Sequence, residues 1–100
     1  MITLNVQIRV KPGGREELIE AGRVLFDELA KEPTFLDAWI HTSEDEPDLI
    51  FVYERWKETK ESFVQNLLPK PYYKPYEAVL ERVGGKRQVV WLDTSYAWRS

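Results

Sequence analysis

The chain has 100 residues, of which 43% are hydrophobic and 31% charged, with a formal net charge of -3 and no cysteine. These values predict one domain over residues 1–100 and exclude disulfides, thiolate nucleophiles and cysteine-ligated metals. A chain without cysteine fits a reducing compartment, so we expect a cytoplasmic protein. Acidic and basic residues are interspersed along the chain, so it lacks the basic patch that is typical of a nucleic-acid binder. No apolar run is long enough to span a bilayer.

The first half of the chain predicts a strand, a helix and a β-hairpin. Apolar and polar residues alternate over residues 2–10, which is the pattern of a strand with two unlike faces. Over residues 15–31 the apolar period changes to that of an amphipathic helix. Residues 35–42 and 49–56 are rich in β-branched and aromatic residues and flank a polar turn, so they predict a hairpin.

The second half predicts a helix, a loop and a last strand. A short helix with Thr59 as its N-cap is expected to end before Pro69. Three prolines in residues 69–76 favour a loop, which we expect to end in one helical turn over residues 77–80. The last strand is predicted over residues 88–94, so the element order is β-α-β-β-α-β.

This order predicts an α+β, ferredoxin-like fold, in which a four-stranded antiparallel sheet carries both helices on one face. Aromatic and aliphatic residues point to both sides of the middle strands, so the helix-free face is also partly apolar. Such a face in a small domain is most simply buried against a second copy of the chain. We therefore predict a homodimer, with an apolar chamber on the helix-free side of the sheet.

Few residues carry recognisable chemistry, and each has a plain structural alternative. His41 shares a strand face with Trp39, and it is either a half-exposed strand residue or a proton acceptor near neutral pH. Asn5 faces water, a dimer seam or a ligand pocket. Trp56, which ends the third strand, is either part of the core or a pocket wall.

Aromatic residues are the one compositional hint of a ligand. The chain has 13 of them, four being tryptophan, which favours a flat apolar molecule. Tyr72, Tyr73 and Tyr76 either pack as cover for the loop or close a cavity, and the prolines around them would stiffen either arrangement. Gln65 and Asn66, on the second helix, could simply face solvent.

Three patterns along the chain occur together. They are the element order, a strand that ends in Glu54-Arg55-Trp56-Lys57 before a helix with Phe63, and a proline-led strand entry over residues 33–40. From residue 2 to residue 94 they resemble the antibiotic biosynthesis monooxygenase family, the dimeric α+β barrels. The resemblance implies this fold and a homodimer. It is less specific for the reaction, since quinol monooxygenases, polyketide oxygenases, haem-degrading enzymes and isomerases share the fold.

The resemblance also implies roles for single residues. Trp56 is similar to a tryptophan beside the substrate of the polyketide oxygenases, and His41 to a histidine on the same strand of those enzymes. Asn5 is similar to the first-strand asparagine of the haem-degrading branch. Where many quinol-type members carry helix histidines, this chain has Gln65 and Asn66, which argues against a haem ligand there.

The activity implied by the resemblance is oxidation of a quinol or polycyclic phenol by O2 without flavin, haem or metal. Under this hypothesis His41 accepts a proton, and Asn5 and Trp56 complete the catalytic set. The alternatives are a non-catalytic module that binds a small aromatic molecule or only dimerises, and a haem-degrading enzyme. The residues expected to bind the substrate are Trp39, Phe63, Asn66, Tyr73 and Tyr76.

Overall fold

Four strands form one antiparallel sheet in the computed structural model, which describes residues 1–100. The strands are β1 (Ile2–Arg9), β2 (Phe35–Thr42), β3 (Leu49–Trp56) and β4 (Lys86–Leu92), in the spatial order β2-β3-β1-β4. Strands β1 and β3 lie in the middle and pair along their whole length. This sheet and the order of its connections confirm the predicted α+β, ferredoxin-like fold.

The two faces of the sheet differ because each strand alternates between them. Val6 pairs with Val52 and Ile8 with Ile50, so these four side chains share one face. They belong to a cluster of 16 buried residues that joins the sheet to the helices. The alternate residues of β1, among them Asn5, point to the other face, which no helix covers.

Helix α1 (Arg15–Leu29) packs an apolar stripe on the sheet and ends two residues before the predicted limit of 31. Its approach to β2 is close at Gly22, where a Cβ atom would lie 3.2 Å from Cδ1 of Ile40. An added Cβ atom there would require the end of the Ile40 side chain to move by a few tenths of an ångström. The buried residues of the helix are Leu18, Gly22, Leu25 and Leu29.

Helix α2 (Lys60–Asn66) begins at its predicted N-cap, Thr59. The Ser62 amide donates to Oγ1 of Thr59 at 3.0 Å, and the Thr59 amide donates to Oγ of Ser62 at 2.9 Å. This reciprocal pair satisfies two amides that the helix itself leaves without partners. The cap fixes the direction in which the helix leaves β3 and brings Phe63 into the core.

The structure corrects the prediction for residues 69–80. The expected loop ends at residue 72, and the rest of it, with the turn expected over residues 77–80, belongs to a third helix, α3 (Tyr73–Arg82). Pro75 lies in the first turn of this helix, where an amide has no intrahelical acceptor and a missing N–H removes no hydrogen bond. A proline at that position is therefore compatible with the helix that follows it.

Glycines end α3 and determine where β4 begins. Gly84 has a φ of +64°, and the Gly85 amide donates to the Leu80 carbonyl at 2.8 Å, which closes the helix. Strand β4 follows directly and runs from Lys86 to Leu92, two residues earlier at each end than predicted.

The three helices contain 15, 7 and 10 residues. None of them has the length and apolar character needed to cross a membrane. The cytoplasmic location stays a prediction.

Candidate active site

A cavity of about 360 Å³ lies between the helices and the helix-covered face of the sheet. This volume is within the range of sites that bind small organic ligands. Strands β1, β3 and β4 form one side of it, and the three helices or the residues beside them form the other. Of its 15 lining residues, 12 are hydrophobic, and the other three are Glu54, Glu77 and Arg87.

Aromatic rings form much of the cavity wall. Phe63 contacts Trp91 edge to face with ring centroids 5.7 Å apart, and it contacts Trp56 in the same manner at 5.4 Å. Such contacts fix ring orientations and leave flat apolar surfaces facing the cavity. The aromatic lining residues are Phe26, Phe63, Tyr73, Tyr76 and Trp91.

Glu54 is a buried carboxylic acid in this apolar wall. It lies on β3 between Leu4 of β1 and Ala38 of β2, and only 6% of its surface is exposed. The indole N–H of Trp56 donates to its Oε1 at 2.9 Å. Burial raises the pKa of Glu54 to about 7, and the Trp56 hydrogen bond acts in the opposite direction.

Two tyrosines of α3 face the same cavity and stay protonated at neutral pH. Burial raises the pKa of Tyr76 to about 12. Burial also raises the pKa of Tyr73 far above its ordinary value, and the nearby Glu54 carboxylate adds to this effect. Both phenols are therefore available as hydrogen-bond donors to a ligand oxygen.

An ion pair on the solvent side of the cavity joins α3 to β4. Nη1 of Arg87 lies 2.8 Å from Oε1 of Glu77, and both side chains are partly exposed. The Glu77 carboxylate raises the pKa of Arg87 above its usual value. Because Arg87 is paired in this way, the cavity retains an acid, Glu54, with no bound cation of its own.

Three of the predicted site residues, Phe63, Tyr73 and Tyr76, line the cavity. Trp56 lies directly behind the wall, where it contacts both Phe63 and Glu54. Asn66 is exposed on α2 and does not line the cavity.

The other three predicted residues lie on the helix-free face. Asn5 and Trp39 both pair with Tyr53 in the sheet, and His41 pairs with Phe51. The cavity is thus on the opposite side of the sheet from the predicted chamber. Strand alternation shows which residues share a face, but it does not show which face becomes enclosed. A catalytic role for these three residues stays a prediction.

Four further cavity residues were not among the predicted site residues: Glu54, Glu77, Arg87 and Trp91. A signal for Glu54 was present, because it alternates in phase with the inward residues Val52 and Trp56 of the same strand. A charged residue at such a position is unusual unless it is neutral or paired. Arg87 had no comparable signal, since it lies before the predicted start of the last strand.

No group of three or more His, Asp or Glu side chains is arranged to hold a metal ion. The expected reaction without metal, haem or flavin stays a prediction.

These features define a class of protein: a small α+β chain with a ligand-sized aromatic cavity between its helices and one face of a four-stranded sheet. The family model for antibiotic biosynthesis monooxygenase matches residues 1–67, two thirds of the chain. The chain therefore belongs to the antibiotic biosynthesis monooxygenase family, as the resemblance implied. The matched residues include Glu54, Trp56 and Phe63, and they end before α3.

Solved structures share the whole fold at low sequence identity. A variant of SnoaB, a cofactor-independent oxygenase from Streptomyces nogalater, is 13% identical with a TM-score of 0.83, over 99% of this chain and 97% of SnoaB. Rv0793 from Mycobacterium tuberculosis is 16% identical with a TM-score of 0.80, over 96% of each chain. A conserved protein from Methanosarcina mazei Go1 is 20% identical with a TM-score of 0.77, over 91% of this chain and 89% of its own. At these identities the similarity establishes the fold alone. Among curated proteins, no sequence matches this chain.

Proposed function

We propose that the protein is a cofactor-independent monooxygenase that oxidises a quinol or a related polycyclic phenol with O2. The observation that carries this proposal is the cavity of about 360 Å³, walled by aromatic rings and containing one buried acid. Family membership supports the reaction class, and the oxygenase SnoaB has the same fold. The substrate class is the one that the resemblance implied, and the aromatic wall supports it as a surface for a flat ring.

The reaction requires little from a protein because the substrate is its own reductant. An ionised phenol transfers one electron to O2, and the resulting radical pair recombines at a ring carbon to form a peroxide. Loss of water from the peroxide leaves one oxygen atom on the ring and removes the other. The substrate thus supplies all the electrons, and one of its protons must first be accepted by a base.

The cavity provides the three conditions that this sequence of steps needs. Phe63 and Trp91 offer apolar surfaces against which a flat ring can bind with water excluded. The phenols of Tyr73 and Tyr76 are protonated donors for the negative charge that develops on oxygen. Apolar side chains on several sides of the cavity limit how far the radical pair can separate before it recombines.

Oxygen uptake tests the proposal directly. The purified protein is treated with chelator, freed of flavin, and mixed with a panel of hydroquinones and polycyclic phenols in an oxygen-electrode cell. We expect uptake well above the autoxidation rate for at least one phenol, with one oxygen atom from ¹⁸O2 in the product. Uptake no faster than autoxidation for every phenol would contradict the proposal.

The same assay separates the other candidate functions. A phenol that binds with a measurable Kd but is not oxidised would indicate a non-catalytic binding module. Haem degradation instead predicts a Soret band when haemin is added, followed by its loss in the presence of a reductant and O2.

We also propose that the helix-free face pairs with the same face of a second copy. Trp39 is 48% exposed there, next to Tyr53, although it is a large apolar ring. In the C-terminal segment, Tyr96 and Trp98 line a depression together with Tyr53, and they are 80% and 87% exposed. Large, exposed aromatic rings grouped on one face are typical of a protein–protein contact.

Sedimentation at several protein concentrations tests the homodimer. We expect a dimer for the unmodified chain and for Val24→Asp, which changes an exposed position on α1. Trp39→Asp should shift the protein toward the monomer, because it places a charge in the contact. A monomeric unmodified chain at micromolar concentration would contradict this proposal.

A further inference from the structure

Glu54 is held in one orientation by the side chains around it. Its Oε1 accepts the Trp56 N–H at 2.9 Å. The Trp56 ring is itself fixed edge to face between Phe35, at 5.1 Å, and Phe63, at 5.4 Å. Because the ring that donates to Oε1 is packed on both sides, the carboxyl group is oriented with Oε1 toward Trp56.

The second carboxyl oxygen of Glu54, Oε2, has no hydrogen-bond partner. Oε2 of Glu54 accepts no hydrogen bond from the protein, and the residue lines the cavity. Every fully buried side-chain oxygen in the structure has a hydrogen-bond partner. Because Oε2 has none, it is not fully buried. An oxygen atom with a free lone pair, limited exposure and an apolar surround is suited to accept a proton from a bound ligand.

The charged and titratable groups that face Glu54 leave this oxygen free. From α3 come the neutral phenols of Tyr73 and Tyr76 and the carboxylate of Glu77, and from β4 comes Arg87. Arg87 is paired with Glu77. The cavity residues of α1 and α2 are apolar. Burial is therefore the main influence on the carboxyl group, and it raises the pKa of Glu54 to about 7.

We propose that Glu54 is the catalytic base of the oxidation and that its Oε2 takes the hydroxyl proton of the bound phenol. This inference rests on the proposed monooxygenase function. In the step, the O–H bond of the substrate breaks and an O–H bond to Oε2 forms. The electron pair of the broken bond stays on the substrate oxygen, which becomes a phenolate that O2 can then oxidise. Trp56 is a positioning residue, because it acts through its hydrogen bond to Glu54.

This assignment differs from the sequence-based hypothesis in the residue that accepts the proton. His41 lies on the opposite face of the sheet, paired with Phe51, whereas Glu54 lies on the cavity wall. A proton acceptor must reach the substrate hydroxyl group directly or through one water molecule. For a substrate bound in the cavity, only Glu54 of these two residues meets that condition.

The test compares Glu54→Gln with the unmodified protein on two phenols. Glutamine keeps an oxygen that can accept the Trp56 N–H but cannot accept the substrate proton. With an ordinary hydroquinone we expect kcat/KM for oxygen uptake to fall by about 10² to 10⁴. With a halogenated hydroquinone that is already ionised at the assay pH, the loss should be less than about tenfold, because no base is then needed.

Three further measurements complete the test. Glu61→Gln, the same change at an exposed residue of α2, should leave both rates unaltered. For the unmodified protein, kcat/KM should rise with pH around pH 7, following the pKa of Glu54 of about 7. Formate should restore part of the activity of Glu54→Ala, because it supplies a carboxylate in the space that the substitution opens.

The outcomes distinguish this inference from the proposed function. If Glu54→Gln is as active as the unmodified protein on the ordinary hydroquinone, the base is another group and only this inference fails. Equal losses on both phenols by a folded variant would also overturn it, since they indicate a structural role. If the unmodified protein oxidises no phenol, the proposed function fails and this inference fails with it.

Discussion

Both faces of the sheet carry aromatic side chains, but in the single chain those on the helix-covered face are more deeply buried. There Phe63 and Trp91 meet edge to face at 5.7 Å in the wall of a cavity. On the other face Trp39 remains 48% exposed. Burial within the chain, rather than aromatic content alone, therefore distinguishes the cavity wall from the helix-free face. Burial in the apolar wall limits the contact of Glu54 with water, and this loss of hydration brings the pKa of Glu54 near neutrality.

The largest expected difference between the faces is in stability. Phe63→Ala removes a ring that is 1% exposed, so we expect the free energy of unfolding to fall by about 3 to 5 kcal/mol. Trp39→Ala removes a ring that is 48% exposed in the single chain, so at protein concentrations below those at which the chain dimerises its loss should stay below about 2 kcal/mol. Urea denaturation of both variants measures the difference. Equal losses would show that the helix-free face is as tightly packed as the core.

The second difference concerns pH and the buried acid. The folded state holds the Glu54 proton up to a pKa of about 7, whereas the unfolded chain releases it near 4.5. Between these values the folded state binds more protons, so the stability contributed by the neutral acid is complete below pH 4.5 and is lost as pH rises through 7. The loss amounts to about 3 kcal/mol.

Glu54→Gln removes this pH dependence because an amide does not titrate in this range. Denaturation of the variant and the unmodified protein at a series of pH values therefore gives two curves that diverge above about pH 5. Parallel curves over the whole range would contradict the elevated pKa.

The third comparison uses a substitution that fills the cavity and leaves Glu54 unchanged. Val89 lies on β4 at the cavity wall, opposite Val6 of β1, so Val89→Trp places a large ring where the substrate would bind. We expect kcat/KM for oxygen uptake to fall roughly 100-fold, since displacement of a bound substrate by about 1 Å already has an effect of that order. Val24→Trp, the same change at an exposed position of α1, is the control. A similar loss in both variants would indicate a general effect on folding.

The smallest expected effect is that of His41→Ala. His41 lies on the face without the cavity and cannot reach a hydroxyl group bound there, so its removal should change kcat/KM by about twofold at most. A fall in kcat/KM of about 100-fold or more, which is the size expected for a missing base, would indicate that the substrate proton is accepted on the helix-free face. The same oxygen-electrode assay measures it.

Sequence patterns predicted the sheet well because the strands depend on local alternation. The bounds of β2 and β3 match their predicted ranges, and the N-cap of α2 is the predicted Thr59. The helix around Pro75 was missed, because the rule that proline breaks helices does not apply in a first turn. Element order and local chemistry were therefore more informative than composition.

The site was less predictable because it depends on how layers pack. Phe63, Tyr73 and Tyr76 were identified, yet the chamber was expected on the face that the helices leave open. Glu54 carried a usable signal, since it occupies an inward position of β3 between Val52 and Trp56. Glu54 lies near Tyr73 because residues 73–82 form a helix, which the prolines in the sequence did not predict. This proximity was therefore visible only in three dimensions.

The most direct test of the account is a crystal structure with an unreactive phenol analogue bound, such as a ring that cannot form a quinone. We expect the ring to lie between the sheet and the helices, in contact with Phe63 and Trp91, with its hydroxyl group within hydrogen-bond distance of Oε2 of Glu54. A ring bound instead on the helix-free face, beside Trp39 and His41, would contradict the account.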